Sequence, residues 1–352
     1  MVFRFLLSGP GLMGKKHGQV ILDRPDCELA CVVGPPSERN RSFAQANKVE
    51  LYPDMETALS HEKVDAAIIS SPNPFHFSQA MSCIKRGIPA LVEKPVTDNL
   101  ADARELAEQS ERFQVPILVG HHRTHSPLLS AADSFLKSPR FGRWVTIHGA
   151  ALFYKPATYF AEGIWRTKKG GGPILINLIH EIGLFRYFCG EFKSIFALIS
   201  KNIRNFEVED TVSLAFEFQN GALGSFILSD TAASSKSWEM TSGENPSYPH
   251  FPKEYCYHFS GTNGSLDFPN LQARHYGQGV EPSWGSPFTE EHGVFTPGDP
   301  IALQLDHFTE VLKGNSHPKV SARDGYLNMR VIEAISRSIE TRSIVDLDEM
   351  VD

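Results

Sequence analysis

The stretch Phe3-Arg4-Phe5-Leu6-Leu7-Ser8-Gly9-Pro10-Gly11-Leu12-Met13-Gly14 decides the fold. A short, mostly apolar run at 3–8 is followed at once by three glycines in the spacing GxGxxG. This pattern predicts a strand at 3–8, a tight turn, and a helix at 12–22. Glycine suits such a turn because it allows the sharp reversal, the close approach of a ligand to the backbone, and the packing of the helix on the strand.

Strand and helix signals keep alternating to about residue 120. Further strands are predicted at 28–33, 64–70, 90–93 and 116–119, with helices between them at 37–47, 76–86 and 99–113. Short, nearly all-apolar strands that alternate with helices indicate a parallel sheet covered on both faces. The glycine turn then lies where such folds bind a dinucleotide, with phosphate at the helix N-terminus; the alternative is a glycine-rich turn that binds nothing.

The pattern changes after Gly120. Longer alternating runs and an Asn220-Gly221 hairpin signal indicate a mostly antiparallel sheet with one clear helix at 175–188. Residues 278–300 are predicted to form a long surface loop before two C-terminal helices. We therefore expect an α/β protein with a dinucleotide-binding Rossmann domain at 1–121. A substrate-binding and oligomerisation domain is expected at 122–352, whose last helices could pack on the first domain.

Composition narrows the range of partners. The 352 residues are 41% hydrophobic and 21% charged, with a formal net charge of −7, which argues against nucleic acid. No apolar run approaches the roughly 20 residues that span a bilayer, and the N-terminus predicts a strand rather than a signal peptide. Five scattered cysteines without a CxxC pair fit a reducing cytoplasm.

Two residues carry the expected chemistry. Glu93-Lys94-Pro95 follows the predicted strand at 90–93, so Lys94 projects into the ligand crevice of a doubly wound sheet. At that place the Lys94 ammonium can hold a ligand oxygen, and the His180 imidazole, in an otherwise apolar helix, can exchange a proton near neutral pH. The alternatives are a core histidine in an apolar helix and a plain surface lysine.

The end of the second strand bears on cofactor choice. An acid is expected there for the adenosine ribose, but the position holds Gly34. Ser37, Arg39 and Arg41 could instead neutralise a 2′-phosphate, which favours NADP slightly over NAD. The alternative is that Ser37 caps a helix and that both arginines are solvated.

Further polar residues are candidates for substrate contact. His121, His122 and His125 suggest a metal, but no cysteine or carboxylate accompanies them, so we expect no metal and place His122 and Arg123 near substrate. Trp165 and Arg166 end an aromatic and basic loop that suits a sugar. The alternative is a loop that is packed by its own aromatic residues.

Taken in order, these motifs resemble the glucose–fructose oxidoreductase / inositol dehydrogenase / MocA family over nearly the whole chain. The resemblance rests on GxGxxG, Ser70-Ser71-Pro72-Asn73 with His76, Glu93-Lys94-Pro95, Gly120-His121-His122-Arg123, Trp165-Arg166, and Gly170-Gly171-Gly172 with His180. It implies hydride transfer between a nicotinamide and a hydroxyl carbon of a sugar, polyol or related ring. It also implies an open sheet that often forms the interface of a homo-oligomer, a dimer or tetramer.

The resemblance also implies residue roles. Lys94 matches a lysine that contacts substrate and nicotinamide ribose, and His180 matches the catalytic histidine. The expected cofactor-binding residues are Gly9, Gly11, Leu12, Met13, Gly14, Ser37, Arg39, Ser71, Pro72, Asn73, His76, Glu93 and Lys94. The expected substrate-binding residues are Lys94, His122, Arg123, Trp165, Arg166, Asn177 and His180.

One position departs from the family pattern. Many members carry Asp four residues before the histidine, where this chain has Ile176. Asn177 could take over the positioning of a substrate hydroxyl, but an amide is no acid or base. Two alternatives therefore stay open: an enzyme that cleaves glycosides through transient oxidation by a tightly held nicotinamide, and a non-enzymatic nucleotide-binding sensor.

Overall fold

This computed structural model describes residues 2–350, and the chain divides into two compact units. The first unit comprises the residues up to His125 together with Asp299–Met329. The second comprises Ser126–Gly298 together with the residues from Arg330 on. The domain boundary at residue 121 stays a prediction, and each unit is described by itself.

The first 125 residues alternate strands and helices. In chain order these are β1 (Phe3–Ser8), α1 (Leu12–Leu22), β2 (Cys27–Val33), α2 (Glu38–Ala46), β3 (Glu50–Tyr52), α3 (Met55–His61), β4 (Ala66–Ile69), α4 (His76–Ile84), β5 (Ala90–Glu93), α5 (Leu100–Phe113) and β6 (Ile117–Gly120). Short 3₁₀ turns lie at Asn73–Phe75 and His122–His125. Residues 50–61 hold a strand and a helix that sequence patterns missed, since β3 is only three residues long.

The six strands form one parallel sheet in the order β3-β2-β1-β4-β5-β6. This is the strand order of a Rossmann fold, and it confirms the predicted parallel sheet. The order reverses between β1 and β4, so the turn after β1 and the loop after β4 meet at the switch point. Ligands bind at such a point because the chain leaves the two neighbouring strands in opposite directions, which opens a crevice at the carboxyl ends of the strands.

The remaining elements follow in chain order. They are α6 (Pro127–Leu136), β7 (Trp144–Leu152), α7 (Ala157–Ala161), α8 (Ile179–Cys189), β8 (Phe192–Ser200), β9 (Thr211–Phe218), β10 (Leu223–Ser229), α9 (Trp238–Thr241), β11 (Tyr257–Gly261), β12 (Gly264–Phe268), β13 (Gln272–Tyr276), β14 (Phe288–His292), α10 (Pro300–Leu312), α11 (Ala322–Thr341) and β15 (Val345–Asp346). A 3₁₀ turn lies at Ile164–Thr167, and a π-helical turn at Ile174–Leu178 leads into α8.

The second unit is built on a nine-stranded sheet in the order β14-β13-β12-β11-β7-β10-β9-β8-β15. β7 and β10 pair in parallel and every other pair is antiparallel, which confirms the mostly antiparallel prediction. The predicted long loop at 278–300 is wrong in part, because β14 lies within it. Its sequence, Phe288-Thr289-Glu290-Glu291-His292, has no alternating apolar pattern, and pairing with β13 supplies the strand.

Helix α8 covers one face of this sheet. The Phe185 ring lies 5.3 Å from that of Phe226, and the Phe188 ring lies 5.3 Å from that of Phe259. On the other face, Leu198, Leu223 and Ile227 are 56%, 59% and 38% exposed. This sheet face therefore presents three large apolar side chains to solvent.

Helix α10 belongs to the core of the first unit. Its residues Leu305, Phe308 and Val311 join the cluster that contains Phe5 and Leu7 of β1. The α10 side chains pack on the face of the sheet that α1 also covers, because Ile21 of α1 belongs to the same buried cluster. Arg24, just after the end of α1, also forms an ion pair with Asp306 of α10. Within residues 2–350, every helix is too short or too polar to cross a membrane.

We expect Phe308→Ala to destabilise the first unit by about 3–5 kcal/mol, since Phe308 is fully buried and its loss leaves a cavity. Denaturant unfolding followed by circular dichroism measures this loss. Trp284→Ala is the matched control, because the Trp284 side chain is completely exposed. Equal stability of the two variants would contradict the packing of α10 described above.

Candidate active site

The three glycines of the first turn differ in what surrounds them. Gly9 has a φ of +78°, and a Cβ there would lie 2.5 Å from the backbone nitrogen of Ser71. A Cβ on Gly14 would lie 2.1 Å from the carbonyl oxygen of Gly9. A Cβ on Gly11 meets only that same oxygen, at 4.0 Å. The fold itself thus requires Gly9 and Gly14, whereas at Gly11 the chain leaves room for a ligand.

The start of α1 fits a phosphate. Gly11 is the N-cap and offers no side-chain cap, and the first turn carries no acidic residue. The first backbone N–H groups of the helix and its dipole therefore remain to bind an anion. Of the predicted neighbours, Leu12 is 75% exposed and Met13 is half-buried. The residues of this turn fit the pyrophosphate of a dinucleotide.

A cavity of about 540 Å³ opens beside this turn. Its lining includes three predicted cofactor residues, Gly9, Ser71 and Pro72. The other lining residues were not predicted: Ser8, Val33, Gly34, Pro35, Pro53, Asp54, Met55, Glu56, Phe75, Ser78, Gln79 and Ser82. Half-exposed Phe75 offers a ring for stacking. Its place beside Pro72-Asn73 was the one sequence signal that could have identified it.

Gln79 joins the two sides of the switch point. Its Oε1 accepts a 2.9 Å hydrogen bond from the Ser8 hydroxyl at the end of β1 and a 2.8 Å bond from the Ser71 hydroxyl after β4. Ser70 reinforces the contact by donating to the Gly9 carbonyl oxygen at 2.9 Å. The glycine turn and the 70–73 loop are therefore held together by side chains as well as by close backbone packing.

Of the residues predicted to select NADP, Ser37 caps a helix and both arginines are exposed, while their contact with a cofactor phosphate stays a prediction. The Ser37 hydroxyl accepts a hydrogen bond from the Asn40 N–H and caps α2. Arg39 and Arg41 lie on the exposed surface of α2. The cavity wall at the end of β2 is instead formed by Gly34 and Pro35, with Asp54 and Glu56 beyond them.

Lys94 follows the last residue of β5, within a turn that is held by its neighbour Glu93. The Glu93 carboxylate is buried, and its Oε1 lies 2.8 Å from His17 Nε2. Its Oε2 accepts a 3.2 Å hydrogen bond from the Lys94 N–H. Burial alone raises the pKa of Glu93, but the hydrogen bond from His17 and the nearby positive charges lower that pKa to about 2. Glu93 is therefore ionised at neutral pH.

His76 lies beneath two of the predicted cofactor loops and is 1% exposed. Its Nδ1 is 2.9 Å from the Pro95 carbonyl oxygen, and its Nε2 is 2.7 Å from the Ser71 carbonyl oxygen. Burial lowers the pKa of His76. The ring thus contacts the backbone of both loops, while direct contact of His76 with cofactor stays a prediction.

The 3₁₀ turn after β6 holds the predicted His122 and Arg123. Arg123 is 4% exposed and His122 is half-buried. Burial lowers the pKa of His122 to about 4 and that of His125 to about 3. In the described part of the chain, no three histidine, cysteine or acidic side chains are grouped so as to hold a metal ion. Both histidines are neutral at pH 7.

In the second unit, His180 lies in the first turn of α8 and is 9% exposed. The π-helical turn before it is anchored by Glu209, whose Oε1 accepts a 2.9 Å hydrogen bond from the Ile174 N–H. A Cβ on Gly172, which has a φ of +81°, would lie 2.8 Å from that oxygen. The glycine run thus lets Glu209 reach and fix the start of the helix that carries His180.

Asn177 is held by a residue outside the predicted site. Its Oδ1 accepts a 2.7 Å hydrogen bond from Lys155 Nζ, which lies 3.8 Å from Asp230 Oδ2. Because lysine only donates, the amide oxygen must face Lys155, and Asn177 is left with its NH₂ group as a donor. Glu181, the other polar neighbour, is buried and accepts a hydrogen bond from the Tyr257 hydroxyl.

Trp165 and Arg166 lie in the 3₁₀ turn at Ile164–Thr167. The Arg166 guanidinium lies 3.9 Å from the centre of the Tyr159 ring and donates to the Tyr159 carbonyl oxygen. Trp165 is 51% exposed. The loop is therefore packed through Arg166 and Tyr159, as the alternative held, and it still presents an open indole for contact with a ligand.

The chain matches the models of a known protein family. Residues 3–121 match the model described as an oxidoreductase family with an NAD-binding Rossmann fold. Residues 129–267 match the GFO/IDH/MocA C-terminal domain. The chain belongs to the Gfo/Idh/MocA oxidoreductase family. The resemblance drawn from the sequence motifs is thereby confirmed.

Individual relatives are distant but match along most of their length. The 1,5-anhydro-D-fructose reductase of Ensifer adhaerens is 22% identical over 328 residues, which cover 91% of each protein. The scyllo-inositol 2-dehydrogenase (NAD(+)) of Bacillus subtilis is 25% identical over 361 residues, covering 98% of this chain and 96% of that protein. The crystal structure of the WlbA dehydrogenase from Bordetella pertussis with NADH and UDP-GlcNAcA is 21% identical and shares the fold, with a TM-score of 0.81 and full coverage of both chains.

We expect Gly11→Ala to fold normally but to weaken NADH binding about tenfold, which corresponds to about 1.4 kcal/mol. The added methyl group would lie in open space that a ligand would fill. Gly14→Ala is the contrasting variant, since its methyl collides with the Gly9 carbonyl and should lower the melting temperature. Thermal unfolding and NADH fluorescence titration separate the two effects. Unchanged NADH affinity in Gly11→Ala would contradict the site.

The free energy of unfolding should decrease as the pH falls, because of His122 and His125. Their pKa values lie at about 4 and about 3 in the folded protein against an ordinary 6.5. Between pH 6.5 and about 4, the unfolded chain binds protons that the folded chain does not, so each histidine lowers the free energy of unfolding by up to about 1.4 kcal/mol per pH unit. His125→Gln should make this slope shallower by about one proton. Urea unfolding across that range measures the slope, and equal slopes would refute the assignment.

Proposed function

We propose that the protein is an NAD(H)-dependent dehydrogenase or reductase acting on a hydroxyl carbon of a sugar, polyol or related cyclic compound. Lys94 and His180 are proposed to act at the reacting oxygen. The observation that carries this proposal is that His76 contacts the backbone of both the Lys94 turn, at Pro95, and the loop of Ser71, which lines a cavity and packs on a glycine turn that fit a dinucleotide. The names of relatives support the substrate class, since two of them act on an anhydro sugar and an inositol.

The proposed chemistry divides between two side chains. A bound nicotinamide supplies the acceptor or donor of hydride. The Lys94 ammonium holds the substrate oxygen and stabilises the negative charge that develops on it. The imidazole of His180 takes the hydroxyl proton in oxidation and returns it in reduction. Asn177 cannot exchange a proton, so in this proposal its NH₂ group orients a substrate oxygen by donating a hydrogen bond.

We further propose NAD(H) rather than NADP(H) as the cofactor. The sequence slightly favours NADP through Ser37, Arg39 and Arg41, and that preference stays a prediction. Two acids, Asp54 and Glu56, line the cavity near the end of β2. The hydrogen bonds that Asp54 accepts from the Thr57 backbone N–H and then from the Thr57 hydroxyl lower the pKa of Asp54, so its charge would repel a 2′-phosphate. Parallel titrations with NADH and NADPH decide the matter, and tighter NADPH binding would overturn it.

We also propose a homo-oligomer assembled through the open face of the second sheet. Leu198, Leu223 and Ile227 leave apolar surface exposed there in the single chain. Charged substitutions on this face, such as Leu223→Lys, should shift the mass measured by light scattering towards the monomer. A wild-type protein that is already monomeric would refute this proposal.

A panel of sugars and polyols, each tested with NAD and NADP by nicotinamide absorbance, identifies the substrate. We then expect Lys94→Ala and His180→Asn each to lower kcat by about 10²–10⁴-fold, because each removes a group that handles the reacting oxygen. Lys85→Ala, at the exposed end of α4, is the matched control. Full turnover by Lys94→Ala would refute the proposed function. Cofactor that co-purifies and cycles without net reduction would favour the glycoside-cleaving alternative.

A further inference from the structure

We propose that two buried histidines, His17 and His76, are positioning residues that hold Lys94 in its working place. The proposal rests on the proposed function of Lys94. It starts from a simple arrangement in the chain. Lys94 stands between Glu93 and Pro95, and each of these neighbours is bound by a different histidine.

On one side, His17 binds the Glu93 carboxylate at 2.8 Å, and the same carboxylate accepts the Lys94 N–H at 3.2 Å. His17 lies on α1, the helix that the glycine turn begins. One carboxylate therefore connects the dinucleotide-binding helix with the backbone of the lysine. A hydrogen bond to a charged partner is stronger than one between neutral groups, so this contact restrains the turn.

On the other side, His76 contacts the Pro95 carbonyl oxygen at 2.9 Å and the Ser71 carbonyl oxygen at 2.7 Å. Ser71 lines the cavity and packs against Gly9. His76 therefore lies between the Lys94 turn and the second cofactor loop, and its neutral ring donates a hydrogen bond to one of the two carbonyl oxygens while it packs against the other. Between them, the two histidines tie the turn to both segments that meet at the switch point.

The side chains that contact the Lys94 turn are buried, which limits their movement. The side chains of His17 and Glu93 are 2% and 7% exposed, and His76 is 1% exposed. A Cβ on Gly120 would lie 2.9 Å from the Glu93 carboxyl carbon, so the carboxylate has no space to move on that side. Loss of His17 would leave a buried carboxylate without its partner, and the turn would shift to hydrate it. A displacement of about 1 Å at a catalytic group can cost about 100-fold in rate.

The first test is a double-mutant cycle. His17→Ala and His76→Ala should each lower kcat by about 10–100-fold, as is typical when a residue that orients a catalytic group is lost. Glutamine at either position keeps a donor and should restore part of the rate. In the Lys94→Ala background, both substitutions should change kcat by less than about twofold, because the group they position is gone. Losses that multiply fully in that background would overturn the proposal.

The second test needs neither turnover nor cofactor. Hydrogen exchange of the apoprotein should show faster exchange at the amides of Lys94, Val96 and Thr97 in both alanine variants. His125→Gln is the matched control, since it alters another buried histidine of the same unit. In the described hydrogen bonds, His125 contacts neither Glu93 nor Pro95. Equal acceleration in the control would show that the effect is loss of stability alone and would overturn the proposal.

The outcomes also separate this proposal from the proposed function. If Lys94→Ala keeps full turnover, the proposed function fails, whatever the histidine variants do. If Lys94→Ala loses turnover while both histidine variants keep wild-type kcat, only the positioning role fails. Should one alanine variant not fold, the other histidine and the two glutamine variants carry the same comparison.

Discussion

The first unit depends on one close contact between backbones, that of Gly9 with Ser71. A Cβ at Gly9 would lie 2.5 Å from the Ser71 nitrogen, so the turn after β1 and the loop after β4 touch without an intervening side chain. This contact is possible because β1 and β4 are neighbours in the sheet. It forms the wall of the cavity, aligns α1 for a phosphate, and places Ser71 within reach of His76.

Buried carboxylates support functional candidates in both units. Glu93 remains ionised in a buried place because the hydrogen bond from His17 and the nearby positive charges stabilise the carboxylate, and the histidines of the 3₁₀ turn after β6 remain neutral. Lys94 therefore lies next to a fixed negative charge that holds its backbone. In the second unit, Asp230 balances Lys155 and Arg204, and Lys155 fixes the amide of Asn177. In each unit, a buried carboxylate thus supports one polar residue to which a functional role is assigned in the proposal, directly at Lys94 and through Lys155 at Asn177.

Prediction from the sequence was most accurate where local pattern and tertiary role agree. β1, α1 and β5 have the predicted bounds, because short apolar strands and a glycine turn need no distant partner to be recognised. β3 was missed because it is very short, and β14 because it has no alternating apolar pattern. Both are strands because they pair with β2 and β13. Ser37 caps α2, as one of the two alternatives drawn from the sequence held, and its contact with a cofactor phosphate stays a prediction.

The sequence by itself determined the fold class and the family, and it singled out Lys94 and His180 as candidate catalytic residues, because glycine spacing, strand length and motif order are local properties of the chain. Only the tertiary structure decided what supports them. His17, Gln79, Lys155 and Glu209 carry no motif of their own, and each lies between 8 and 76 residues from the group that it binds. Such partners are chosen by the packing of strands and helices, and periodicity along the chain carries no record of them.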